Sequence, residues 1–363
     1  MNTKIFLFLT IPLFAAQMAA GASPAARQSV TVKEDTVNNE RIFFIDGAVS
    51  GKIIFDANGS VVKQTGNIPD GTAVSYYDNG KIFSEAFYIN GKKNGLYKEY
   101  FKNGNLKTEA GYSEDKINGT EKTYYENGNI EKIIIFKNGK KEEAARHYYT
   151  SGELKEEKCY AGDIEEGHAK EYYENGGIKQ EIPYKNGKID GVWKWYTVNG
   201  KLESEIEYSS GIENGIAREY YENGNVREEA SYSQGKAEGL SKLYYENGDV
   251  KYRAIYKNGK VEGTAKAYYY NGKIQAQIPF QTGKKNGIET WYYETGIPEK
   301  EINYVNDKME GEAKWYFEDG NLRRTGWFFN GRENGTFKVY DQNGKLKMEE
   351  IYEDGVLQKV KKL

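Results

Sequence analysis

Residues 170–191 read KEYYENGGIKQEIPYKNGKIDG, with two Asn-Gly pairs, Asn175-Gly176 and Asn186-Gly187, set between runs of alternating apolar and polar residues. Asn-Gly in that setting is the strongest short-range signal for a β-hairpin, because both residues tolerate the left-handed backbone that a tight turn needs. One such stretch encodes one hairpin and the start of the next. Whether many copies build a catalytic pocket or a continuous wall depends on the rest of the chain.

The rest of the chain repeats the stretch. Gly80, Gly104, Gly128, Gly152, Gly176, Gly200, Gly224, Gly248, Gly272, Gly296, Gly320 and Gly344 follow one another at intervals of 24 residues, which makes 12 copies. Four residues before each stands a tyrosine, from Tyr76 to Tyr340, and eight residues after each stands Tyr or Phe, as at Tyr88, Phe136, Tyr184 and Phe328. A second turn position is glycine in nine copies and Asp115, Asp163 and Asp307 in the other three. Aspartate is among the few residues that accept left-handed dihedrals, so it is backbone geometry that recurs there. A third glycine position, Gly71 through Gly335, fails only at Glu143, where a local distortion is expected. Internal repetition at this period marks a repeat architecture. The expectation is an all-β fold: an elongated, single-sheet antiparallel meander of about twelve 24-residue β-hairpin repeats.

Loop lengths follow from parity. Residues that close turns on opposite edges of a strand must lie an odd number apart, because backbone polar groups alternate from side to side. Two-residue loops at both turns fail this test. Three-residue loops, Asp78-Asn79-Gly80 and Ile89-Asn90-Gly91, pass it. In that register Tyr76, Ile82, Ala86 and Tyr88 share a packed face, and Pro183 and Pro279 fall opposite Gly167 and Gly263. Proline cannot donate to a ladder, so pairing should lapse there through a bulge or a strand end.

Composition narrows the function. Lys+Arg number 51 against Asp+Glu 54 with no basic block, which argues against a nucleic-acid partner. The single cysteine, Cys159, excludes an intramolecular disulfide and a multi-thiolate zinc site. His147 and His168 share no ligand spacing with it. The fragments DANG at Asp56 and DQNG at Asp341 lack the remaining ligands of a calcium loop and read as turns. No metal, cofactor or catalytic residue is expected, since an active site breaks local rules at one place and this chain repeats one rule 12 times.

The N-terminus differs in kind. Lys4 precedes an apolar run over residues 5–16, then Ala20-Gly21-Ala22 offers a small-x-small cleavage site. The run is too short for a membrane span, which needs about 20 apolar residues. Residues 1–22 are expected to be a signal peptide, 23–40 a flexible tether, 41–70 a degenerate capping repeat, 71–355 the repeat array and 356–363 a C-terminal edge strand carrying Lys359, Lys361 and Lys362. The mature chain would then be exported to the periplasm, the cell surface or the medium, without an integral membrane span.

The units YYENGNIEK, YYENGNVRE and YKNGKVEGTAKAYY resemble the MORN-repeat variant family, including bacterial proteins of the YwqK type often labelled antitoxins. The resemblance covers about residues 71–355 and implies β-hairpin repeats with a scaffold or binding role. The expected function is a non-enzymatic scaffold that binds a protein or an envelope component. The alternatives are a cell-wall, carbohydrate or choline-type ligand-binding array, and antitoxin-like binding of a toxin. All five tryptophans lie in the latter part of the chain, and Trp195, Trp291 and Trp315 share the position just before the recurrent tyrosine. The register above puts that position on the face opposite the packed tyrosines. Trp195 and the pair Trp291 and Trp315, flanked by Tyr292 and Tyr316, are therefore the candidate partner-binding residues.

Overall fold

The structure, a computed structural model, describes residues 29–363. The expected signal peptide lies outside the described residues. The chain divides into two units, one ending at Gly95 and one running from Leu96 to Leu363. Among the described residues there are strands and turns and no helix.

In the first unit the strand Val30–Asp35 pairs antiparallel along its whole length with Glu40–Ile45, and Thr31 adds a parallel bridge to Val74. Residues 30–35 of the expected tether are therefore strand, and its residues 23–28 lie outside the described residues. The alternation of Val30, Val32 and Glu34 with polar neighbours is a short strand signal that was masked by its nearness to the apolar leader. Phe43 and Tyr88 meet edge-to-face at 5.0 Å beside Ile53, all three almost fully buried. Arg41, also buried, donates to Glu34 at 2.8 Å and to the Gly91 carbonyl at 3.1 Å, with its guanidinium 5.3 Å from the Tyr88 ring centre.

In the second unit each strand pairs antiparallel with the next in sequence, down to Val356–Lys362 on Leu346–Glu353. The turn in ENG has the expected three-residue form. Tyr173 N donates to the Gly177 carbonyl at 2.8 Å and Gly176 N returns to the Tyr173 carbonyl at 2.9 Å. The second turn does not. Lys185 pairs directly with Lys188, and Asn186 and Gly187 both have positive φ, 51° and 73°, which makes a two-residue type I′ turn.

A bulge explains the difference. Tyr172 pairs with Ile178 while Glu171 pairs with Gln180, so Lys179 is an extra residue just after the first turn. One inserted residue reverses parity, and the even spacing between the two turns becomes allowed. It also moves Tyr76 and Ile82 to the face opposite Ala86 and Tyr88, so the four do not share one face.

A second bulge lies where the third glycine recurs. Tyr184 pairs with Ile189 but Glu181 pairs with Lys194, leaving two residues more on one strand than on the other. Asp190 N donates to the Pro183 carbonyl at 2.9 Å, and Gly191 takes φ 123°. A Cβ on Gly191 would stand 3.0 Å from Pro183 Cγ, so glycine is needed for space as well as for φ. The prolines thus sit against the bulge, as expected, but beside Gly191 and Gly287 on the following strand; across the preceding strand they pair with His168 and Thr264, and not with Gly167 and Gly263. Glu143 causes no distortion. It takes φ 57° itself, and its copy keeps the same shift between Ile133–Arg146 and Ile135–Glu142. Asp115, Asp163 and Asp307 likewise take φ 64°, 73° and 70°.

Candidate binding surface

The two faces of the second unit carry different chemistry. One face runs through alternating charges that pair in register from strand to strand: Glu157, Lys170, Glu181, Lys194, Glu205, Arg218 and Glu229. Lys170 reaches Glu181 at 3.0 Å and Arg218 reaches Glu205 and Glu229 at 3.2 and 2.8 Å. Opposite charges set directly across from each other support the ladder. The recurrent tyrosines lie on this face too. Tyr196, Tyr220 and Tyr316 donate to Glu181, Glu205 and Glu301 at 2.8–3.0 Å, and burial together with those carboxylates pushes each phenol up to about 12.

The other face is floored with small residues. Ala145, Ala169, Ala230, Ala254, Ala265 and Ala313 are buried between larger neighbours. Trp195, Trp291 and Trp315 belong to this face, which is the opposite of the sequence expectation in one respect: they share it with the aromatic line of Tyr208, Tyr304 and Phe328. They do stand opposite the tyrosines that follow them. Tyr292 and Tyr316 therefore do not join the tryptophans in one patch, because successive strand residues point to opposite faces.

Trp291 and Trp315 come together as expected. Both pair with Lys300, one from each side, so two strand spacings of about 4.8 Å separate them. They are half-buried and capped by the protein's own cations. Lys300 Nζ lies 4.8 Å from the Trp291 ring centre, and the Arg324 guanidinium lies 5.4 Å from Trp315 and 4.3 Å from Phe337. Arg324 is in turn held by Glu333 at 2.7 Å and Glu350 at 2.9 Å. Trp291 also donates its indole N–H to Glu289, which is buried and paired with Lys285 at 2.6 Å. This is an internally satisfied ladder of aromatic rings and cations.

The most exposed tryptophan is one the sequence reading passed over. Trp327 is 56% exposed and lies on the charged face, where it lines a groove of about 500 Å³ with Ile288, 61% exposed, and with Glu301, Asn303, Glu312 and Lys314. Val192, Leu240 and Ile255 are exposed along the same positions of other copies. Aligning all copies at the 24-residue period would have exposed this column, since apolar residues recur there without the aromatic signature that drew attention elsewhere.

Titratable groups elsewhere are engaged locally. The Asp56 and Asp341 carboxylates accept backbone N–H groups of their own turns at 2.8–3.0 Å, as turn residues do. His147 faces Glu156 at 3.4 Å across one strand pair, and His168 pairs with Pro183. Among the described residues no group of three His, Cys, Asp or Glu side chains is placed to hold a metal ion, and no helix is long and apolar enough to cross a membrane.

Comparison with curated proteins gives no match. Among solved structures, the TcdB2–TccC3–Cdc42 complex aligns at 11% identity over 85% of this chain and 18% of that one, with a TM-score of 0.17. The Tc holotoxin pore of Photorhabdus luminescens aligns at 11% identity over 86% and 22%, with a TM-score of 0.13. The chain thus spans under a quarter of those much longer chains, and scores this low carry no argument. The repeat itself is decisive. Residues 69–90, 93–114, 117–138, 165–186, 189–210, 213–234, 237–258, 261–282, 285–306, 309–330 and 333–359 each match the MORN repeat variant, and the one copy passed over is that of Glu143, whose strands keep the common geometry. With most of its length in these matches, the chain belongs to the MORN repeat variant family.

Proposed function

We propose that the protein is an exported, non-enzymatic β-repeat scaffold whose sheet binds a protein partner or an envelope component. The observation that carries this reading is the groove between Ile288 and Trp327, where two large apolar side chains stand exposed within a ladder of paired charges. Exposed tryptophan beside a polar rim is the composition of a binding hot spot. The repeated hairpin supports the same reading, since each copy offers the same positions for surface display. Export is supported by the leader-like residues 1–22, and the cytoplasmic antitoxin reading fits that leader poorly.

Affinity capture from envelope extract with residues 23–363 tests the proposal. The captured partner is expected to be lost when Ile288 and Trp327 are both changed to serine, with the β-sheet circular dichroism unchanged. Equal capture by the variant overturns the groove as the binding surface. Mass spectrometry of the native protein tests export, and an intact residue 1–22 segment in the cytoplasm would overturn it.

A further inference from the structure

The Arg324 site has a counterpart without its arginine. Trp315, Arg324, Glu333, Phe337 and Tyr352 correspond, five 24-residue repeats earlier, to Trp195, Ser204, Glu213, Ala217 and Tyr232. The registers agree: Trp315 pairs with Arg324, and Trp195 pairs with Ser204. In the later copy the guanidinium fills the space between Trp315, Phe337 and Tyr352 and is neutralised by carboxylates. In the earlier copy serine and alanine stand where arginine and phenylalanine would be. A groove of about 330 Å³ remains, walled by Trp195 and Tyr232 and floored by Ile206, Ala217 and Ala230.

The charge around that groove is one-sided. Glu219 and Glu228 line it, and they follow Ser204 in the same row across the next two strands. Glu219 pairs with Arg227 on the exposed bulge, and the Glu228 carboxylate makes no ion pair or hydrogen bond among the described residues. Arg218, which also borders the groove, is committed to Glu205 and Glu229 on the other face. Trp195 stacks on Trp193 at 4.0 Å, which fixes its ring, and no cation among the described residues covers it. Trp291 and Trp315, at the same position of their copies, are both covered.

We infer that this groove receives an arginine side chain from a partner polypeptide. Its aromatic wall offers the cation–π contact and its two glutamates the charge that Arg324 finds within its own chain. The occupant is argued from that internal template: the same positions already hold a guanidinium presented by a neighbouring strand. The inference deepens the protein-binding reading above and rests on it.

The test uses residues 23–363 and two soluble peptides, four Gly-Arg units and the same sequence with citrulline for arginine, followed by calorimetry and tryptophan fluorescence. The arginine peptide is expected to bind at least about tenfold tighter than the citrulline peptide. Ser204→Arg, which supplies the missing side chain from within, and Trp195→Ala should each weaken it about tenfold. Should Ser204→Arg fail to fold by circular dichroism, Glu219→Gln with Glu228→Gln reads the same site and should give a similar loss. Equal binding of the two peptides, undiminished binding by the folded Ser204→Arg protein, or no binding up to about 10 mM overturns the inference. Equal competition by tetramethylammonium would also overturn it, marking a small-cation site. Because Ile288 and Trp327 lie on the other face, a partner captured through them while Ser204→Arg changes nothing would leave the scaffold reading standing and remove only this site.

Discussion

The Tyr173 phenol donates to the Tyr196 carbonyl, 2.8 Å away and 23 residues further along the chain. The same bond joins Tyr125 to Tyr148, Tyr149 to Tyr172, Tyr221 to Tyr244, Tyr245 to Tyr268, Tyr269 to Tyr292 and Tyr293 to Tyr316. Each staples the first turn of one copy to the strand end of the next, so coupling between neighbouring repeats is built into the second tyrosine of YYENG. Nearest-neighbour coupling of this kind is what makes a repeat array cooperative.

Two substitutions read that staple in opposite directions. Tyr173→Phe removes one hydrogen bond and should cost about 1 kcal/mol. Phe317 occupies the same position without a hydroxyl, so Phe317→Tyr should add a bond to the Tyr340 carbonyl and gain about 0.5–1 kcal/mol. Urea denaturation midpoints measure both. If neither midpoint moves, the phenol contributes nothing to the coupling.

The bulge position offers a cleaner stabilisation. Glu143 is held at φ 57° where the other copies use glycine. A non-glycine residue in the left-handed region costs about 1–2 kcal/mol. Glu143→Gly should therefore raise stability by about 1 kcal/mol, and Gly335→Glu, starting from φ 81°, should lower it by a similar amount. A destabilised Glu143→Gly protein would mean that the glutamate makes a compensating contact.

How much of this was legible in the sequence can be seen from the turns. The period, the all-β hairpins and the left-handed aspartates follow from Asn-Gly and glycine spacing, because those residues report backbone dihedrals directly. The face assignment did not follow. It depends on Lys179 and its equivalents being bulged, and a bulged residue in a strand carries no compositional mark when its side chain is an ordinary polar one. One unseen inserted residue moved the recurrent tyrosines to the charged face and the tryptophans to the alanine floor. The cations over the tryptophans were likewise invisible, since Lys300 and Arg324 become their neighbours only once strands are paired.

Packing on the small-residue floor can be tested at Gly326. A Cβ there would meet Phe337 ring atoms at 2.1–2.3 Å, and Phe337 is fully buried against Phe328 and Tyr352. Gly326→Ala should cost about 1–3 kcal/mol through overpacking, and Phe337→Ala about 3–5 kcal/mol through the cavity it leaves. The double variant places two alanines there, as at Ala254 and Ala265 three repeats earlier, and should cost about 1 kcal/mol or more less than the sum. Strict additivity would show that the two sites relax independently.

Acid sensitivity should trace in part to His147. Burial lowers its pKa from the ordinary 6.5, Lys132, Lys158 and Lys141 add to that, and Glu156 at 3.4 Å opposes them without prevailing. The folded imidazole is therefore neutral over a range in which the unfolded one already takes up a proton. Where the unfolded state binds more protons, stability rises with pH. The contribution of His147 is thus fully present above pH 6.5 and is lost as pH falls through 6.5 toward its depressed folded value. His147→Gln removes the titration, so the wild-type denaturation midpoint should fall more than that of the variant between about pH 7.5 and 5.5. A wild-type profile parallel to that of the variant across this window would place the histidine in water-like surroundings in the folded chain.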